Sequence, residues 1–412
     1  MPPAARCQQR SEDHARLEAV AHPSVLALIL ARLPPVEQAV AASRLSREWR
    51  AWAAPRAAAL RRRAEIRGPG AGLGAYRLPL WYFQEAWAAP GAAAARGRAL
   101  ARAARHGDAA SLAWARQLGA GAGAGAPLWQ AGVCRAAAEG GGLAALQWLR
   151  QQEPPCPWDE SACVAAAARG HLHVLQWLRQ QEPLCPWREW ACAAAAKAGG
   201  LRALQWLRQQ EPPCPWGTEA CREAAARGYL HVLQWLRHQQ PPCPWDGWTS
   251  AAAAEGGHLH VLRWLRQQQL PCPWDGWTCT AAAEHGHLHV LQWLRRQQPP
   301  CPWDGWTSAA AAEGGHLHVL QWLQQQEPPL EWEEMSCALA ARAGHLHVLQ
   351  WLRRQQPPCP WGATTCALAA KSGRLHVLQW LRQQAAPCPW DRELCLRMAP
   401  RKVRAWIRAQ PP

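Results

Sequence analysis

The chain has 412 residues, 49% hydrophobic and 18% charged, with a formal net charge of +16. Its longest strongly apolar run, residues 25–31, falls far short of the roughly 20 residues a membrane helix needs, and with no Asn there is no acceptor for N-linked sugar. A membrane partner is therefore set aside, and the odd count of 17 Cys leads us to expect a reducing compartment, cytoplasmic or nuclear.

Residues 1–21 read as a disordered tail. Residues 22–57 then carry two short apolar helices. The first runs from Val25 through Ile29 to Leu33 and is broken by Pro34-Pro35; the second leads to Leu45 and Trp49. In order and nearly in spacing, Pro23, Ile29, Leu33-Pro34-Pro35, Leu45 and Trp49 resemble an F-box. His22 stands where that pattern has Leu, and Leu45-Ser46 where it has Val-Cys. The plain alternative is a small helical cap on the C-terminal repeats. Residues 58–96 form an Arg-, Gly- and Pro-rich connector with one aromatic cluster, Trp81-Tyr82-Phe83 and Trp87. The charge surplus sits in this first quarter: residues 1–107 hold 17 Arg against 7 acids, and residues 108–412 hold 28 basic against 22 acidic residues.

From residue 97 onward, periodicity decides the fold. Trp148, Trp177, Trp206, Trp235, Trp264, Trp293, Trp322, Trp351 and Trp380 are 29 residues apart, and a second series from Trp158 to Trp390 keeps the same step. A fixed period in this range marks a stacked array of supersecondary units. One unit shows the design. Asp275 or Thr278 caps a short Ala-rich helix ending at Glu284; Gly286 permits the left-handed turn at its end. A second helix runs over 287–296, and Pro299-Pro300 stop it. Cys301-Pro302-Trp303-Asp304-Gly305 makes a rigid finger into the next unit. On the second helix Leu288, Val290, Leu291, Trp293 and Leu294 spread over roughly 220° of the circumference, wider than the stripe of a surface helix. Such a unit buries its faces only by stacking on its neighbours. The regular repeats run over about 130–395, with atypical caps at both ends of a 97–412 domain.

These units resemble the ankyrin repeat. Asp275-Gly276-Trp277-Thr278, the Ala-rich helix and Gly286-His287-Leu288-His289-Val290-Leu291 carry the likeness. The departures are a 29-residue period in place of 33, a missing Thr-Pro-Leu-His, and Cys-Pro-Trp in the finger. The resemblance implies an all-α ankyrin-type solenoid of about ten helix-turn-helix repeats.

No chemistry of catalysis stands out, and no enzyme activity, cofactor or metal is expected. Pairs such as Cys156/Cys163 and Cys272/Cys279 are spaced too widely for an ordinary zinc site. Single members also drop out beside a retained neighbour, Ser250 against Cys243, Ser308 against Cys301 and Leu330 against Cys337, whereas a paired-thiolate site or a disulfide would lose both together, so neither is expected. The cysteines read as small buried residues near turns. Recurrent His-x-His, densest at His285, His287 and His289, places its rings on different helix faces, so the first His of each pair reads as a brace for its turn.

Positions that vary between units are where recognition would be written. One column contains Trp190, Trp248, Trp277 and Trp306; another contains Glu255, Glu284 and Glu313, together with Lys197, Arg342 and Lys371. Aromatic anchors beside charge are typical of contact surfaces; the plain alternative is that these Trp rings cover the adjacent turn. The F-box likeness implies that Pro23, Ile29, Leu33, Leu45 and Trp49 dock a Skp-type adaptor, making the chain a substrate receptor of a cullin–RING ubiquitin ligase. A repeat scaffold without a ligase link is one alternative. Association with nucleic acid through the basic N-terminal region is another, although nucleic acid is not the partner this reading expects.

Overall fold

A computed structural model describes residues 93–121, 129–327 and 330–410. The tail, the F-box-like segment with Pro23, Ile29, Leu33, Leu45 and Trp49, and all but the last few residues of the connector lie outside them. The chain divides into two compact units, residues 1–121 and 122–412. Among the described residues every element is a helix, twenty-two in all.

In the first unit, Ala93–Arg105 and Ala109–Gly121 pack on each other through Ala99, Leu100, Ala103 and Leu112, all buried. Gly107 turns the chain between them at φ 69°. Asp108 then accepts from the Ser111 amide at 3.2 Å and the Ser111 hydroxyl at 2.6 Å, which starts the second helix.

In the second unit, ten pairs of short helices succeed one another, beginning with Ala131–Gly140 and Leu143–Arg150 and ending with Arg392–Met398 and Arg401–Arg408. This is a helical-repeat solenoid, as the 29-residue period requires. In the repeat that holds Trp277, the helices are Gly276–Glu284 and Leu288–Arg295. Asp275 is the cap: its carboxylate accepts from the Trp277 amide at 3.0 Å. The left-handed turn falls at Gly286, φ 74°. A side chain there would be strained, and it would also meet the His316 ring of the next repeat at 2.6 Å. The same glycine recurs in each regular repeat from Gly141 to Gly373.

The first helices carry the stack. Each packs on the first helix of the next repeat, and its alanines are what allow it: Ala282 and Ala283 are fully buried and small enough for backbones to approach closely. The second helix leans mainly on its own first helix and buries Val290, Leu291 and Leu294. Each such side chain gains about 1.5–3 kcal/mol from burial. The two Trp series bind the second helices to the fingers. Trp293 meets Trp274 edge-on at 6.0 Å, and Arg295 lays its guanidinium over Trp303 at 4.0 Å while donating to the Cys301 carbonyl at 2.7 Å. Finger residues such as Trp274 and Trp303 are therefore clasped by their own repeat and by the one before.

The histidines brace, but across repeats: both members of a pair, and not the first alone, reach back to the preceding turn, and the first does not cap its own helix. His287 Nε2 lies 2.9 Å from the Glu255 carbonyl and His289 Nε2 3.2 Å from the Gly257 carbonyl, both in the preceding repeat. Burial holds the pKa of His287, and likewise of His171, His258, His316 and His345, below the usual histidine value.

The cysteines are buried, but their partners are not their sequence neighbours. The first-helix cysteine faces the finger cysteine 22 residues later: Cys134 with Cys156, Cys163 with Cys185, Cys192 with Cys214, Cys221 with Cys243, Cys279 with Cys301, Cys337 with Cys359 and Cys366 with Cys388. Most of the apparent loss of single members belongs to the wrong register; Ser250 opposite Cys272 is the single loss that remains. In the register of the fold, Ser308 and Leu330 occupy the two halves of one pair position, so there both cysteines are replaced together.

Candidate recognition groove on the first-helix face

The helix start fixes where the variable Trp goes. With Asp246, Asp275 and Asp304 as caps, Trp248, Trp277 and Trp306 each fall in the first turn, where the side chain leans back toward the N-terminus and out of the stack. Trp190, Trp248, Trp277 and Trp306 keep between 49% and 55% of their surface in solvent. Trp248 and Trp277 stack on each other, ring centres 6.2 Å apart and planes 28° from parallel. Trp248, Trp277 and Trp306 thus follow one another in successive repeats, Glu219 separates Trp190 from them, and Trp248 and Trp277 touch without covering each other.

Beside that pair lies an open groove of about 820 Å³. Its lining joins Trp248 and Trp277 to Glu255, Glu284 and His285 at the far ends of the same helices, and to Lys197, Arg222, Glu223 and Arg227 from the two preceding repeats. Of the residues the sequence singled out, the structure brings together Trp248, Trp277, Glu255 and Glu284. Trp190, Trp306 and Glu313 do not line this groove, and Glu313 is held in an ion pair by Arg342.

Two of the groove's cations are engaged by carboxylates. Lys197 reaches Glu223 at 3.1 Å, and Arg222 reaches Glu219 at 2.9 Å. Among the described residues Glu255, Glu284 and Arg227 make no ion pair, and all three are exposed. The groove is charge-balanced, with three cations against three carboxylates, and its aromatic wall offers flat apolar surface. It can stack a planar group on Trp248 or Trp277 while carboxylates and Arg227 take its polar edges.

Arg222 and Glu223 were legible but overlooked. Each breaks a run of small residues in the neighbouring repeats, Ala193, Arg222, Ala251, Thr280 and Ala309 in one column and Ala194, Glu223, Ala252, Ala281 and Ala310 in the other, and Arg135 is the other charged residue of the first column. A charged side chain in such a column marks the open face of the first helix.

Among the described residues no three metal-ligating side chains converge, and no helix is long and apolar enough to cross a membrane.

No family model matches the chain, and no curated protein matches it either. The solved structures similar to it include a pentatricopeptide repeat protein, PPR10, in complex with an 18-nt psaJ RNA element, at 16% identity and a TM-score of 0.34, covering 79% of this chain. A cysteine-substituted form of that protein with the same RNA is similar at 14% identity and a TM-score of 0.36, covering 99% of this chain. The chain spans 48% and 66% of the lengths of those two.

These findings correct three expectations. The repeat is a helical solenoid unit, but neither an ankyrin nor an F-box model matches it, and the similar structures are of another helical-repeat type. The ubiquitin-ligase receptor and its Skp-type adaptor therefore have no support. Those readings rested on a likeness spread over a few apolar and Pro residues, a pattern that short amphipathic helices satisfy without common descent. The third concerns nucleic acid, which the sequence reading set aside, whereas the two similar structures were solved with RNA, a fact about those proteins. The ligand of this chain has to be argued from its own surface.

Proposed function

We propose that the repeat array binds a single-stranded nucleic acid along its first-helix face, without catalysis of its own. The observation that carries the reading is the stacked, half-exposed pair Trp248 and Trp277 on a repeating surface. Unpaired bases stack on such rings, and the interaction tolerates sequence because every base has a flat face. A duplex hides those faces and cannot use them. The residue at the end of the same helix changes from repeat to repeat, Lys197, Ala226, Glu255, Glu284 and Glu313, and so presents a donor, an apolar methyl or an acceptor along the strand.

The charge distribution agrees with stacking as the main source of affinity in the groove. Balanced charges there neither attract nor repel a phosphate strongly. The attraction comes from the chain's surplus of basic residues, including the exposed Arg401, Lys402 and Arg408 of the last helix.

The test is fluorescence anisotropy of labelled oligonucleotides with the full chain. The reading predicts that a single strand binds well ahead of a duplex of the same sequence. Equal affinity for the two, or binding of extended peptides and not of oligonucleotides, contradicts it.

A further inference from the structure

Inside the same repeats lies a second feature, independent of what the face binds. In seven of the nine regular positions, a first-helix cysteine and the finger cysteine 22 residues later share one buried pocket. The sulfurs are fully screened from solvent. In one pair, Cys337 Sγ lies 3.3 Å from Cys359 Sγ. In others, the first-helix sulfur lies 3.9–4.0 Å from its partner's carbonyl oxygen, as for Cys134 and Cys156 or Cys279 and Cys301. At 3.3 Å the two sulfurs of Cys337 and Cys359 are in van der Waals contact, about 1.3 Å beyond the length of an S–S bond.

One of the two exceptions fits a paired role. Ser308 and Leu330 replace both members at one position. At another, Ser250 stands opposite Cys272 and keeps a polar contact by donating its hydroxyl to the Pro273 carbonyl at 2.9 Å.

We propose that these pairs are oxidation sites: each buried dithiol closes to a disulfide that ties a first helix to the finger of the following repeat. The oxidant class is a small hydroperoxide. One thiol takes up the peroxide's terminal oxygen to become a sulfenic acid, and water or an alcohol leaves. The partner thiol's sulfur then attacks that sulfur; the S–S bond forms and the hydroxyl departs with the thiol proton as water. Two electrons pass from the two sulfurs to the peroxide.

The chemistry also sets the pace. The hydrogen bond shared with its partner, and then burial, hold the Cys134, Cys221, Cys279 and Cys337 thiols well above the ordinary thiol pKa. Little thiolate forms in the closed repeat, so oxidation waits for local opening. The sites are slow, and they record sustained oxidation.

Peptide mapping tests this. The full chain is treated with hydrogen peroxide under native conditions, its remaining thiols are alkylated, and the links are compared with those of the same chain oxidised in denaturant. The proposal predicts the seven 22-residue links in the native sample, each with the loss of two hydrogens, while Cys272 and Cys395 stay alkylated. Cys337→Ser should remove only the link to Cys359. Links between sequence neighbours such as Cys156 and Cys163, sulfinic acids without links, or thiols that stay free while the unfolded chain oxidises fully, overturn it.

Discussion

At the residue scale, the Trp content divides into two populations with different work. Trp274, Trp293 and Trp303 are half-buried, held edge-on to one another or under a guanidinium, and they join repeats. Trp248 and Trp277 lie on the open face. Trp277→Ala should therefore weaken strand binding by about 1–3 kcal/mol while leaving the melting temperature nearly unchanged, measured by anisotropy and calorimetry on the same variant. A large loss of stability with unchanged binding would return the ring to a packing role. The carboxylates beside the rings make a second prediction. Glu255 and Glu284 accept hydrogen bonds but cannot donate, which suits the amino group of cytosine and not the carbonyl of uracil. Glu255→Gln with Glu284→Gln should narrow the difference between C-rich and U-rich strands, each replaced contact being worth about 1–3 kcal/mol.

At the element scale, stability comes from contacts between short helices, since an isolated eight- or nine-residue helix is marginal in water. Leu291 is fully buried on its second helix, and Leu291→Ala should cost about 2–5 kcal/mol by denaturant unfolding. Gly286→Ala should destabilise through two causes at once: a left-handed φ and a Cβ driven against His316. The histidine braces give a pH dependence with a definite sign. Their folded pKa values lie below the unfolded 6.5, so the unfolded chain binds protons more readily. Stability is then full above about pH 6.5 and declines as the pH falls through the folded values. A midpoint of unfolding that rises on acidification from pH 7 to 5 would contradict this. These elements were readable from sequence because their causes are local: Asp275 caps, Gly286 turns and the prolines stop. The pairing of Cys134 with Cys156 was not, because it depends on how the finger folds back over the helix, and the sequence places a nearer cysteine in view.

At the scale of the whole molecule, the period alone fixed a stacked helical array in residues 129–410, and the columns that vary between units pointed to the face on which Trp248, Trp277, Glu255 and Glu284 meet. What it did not fix was family or partner. A few apolar residues at helical spacing, such as Ile29, Leu33 and Leu45, satisfy many short-helix patterns, whereas the groove is a property of several repeats together: Lys197, Arg222 and Arg227 come to it from units that look unrelated to Trp277 when read along the chain. Photo-cross-linking of a bound single strand to the full chain, with peptide mapping of the adducts, is the most direct test that this face is the binding surface. The adducts should fall on peptides holding Trp248, Trp277 and their helices. Adducts confined to the arginine-rich first 92 residues would contradict it.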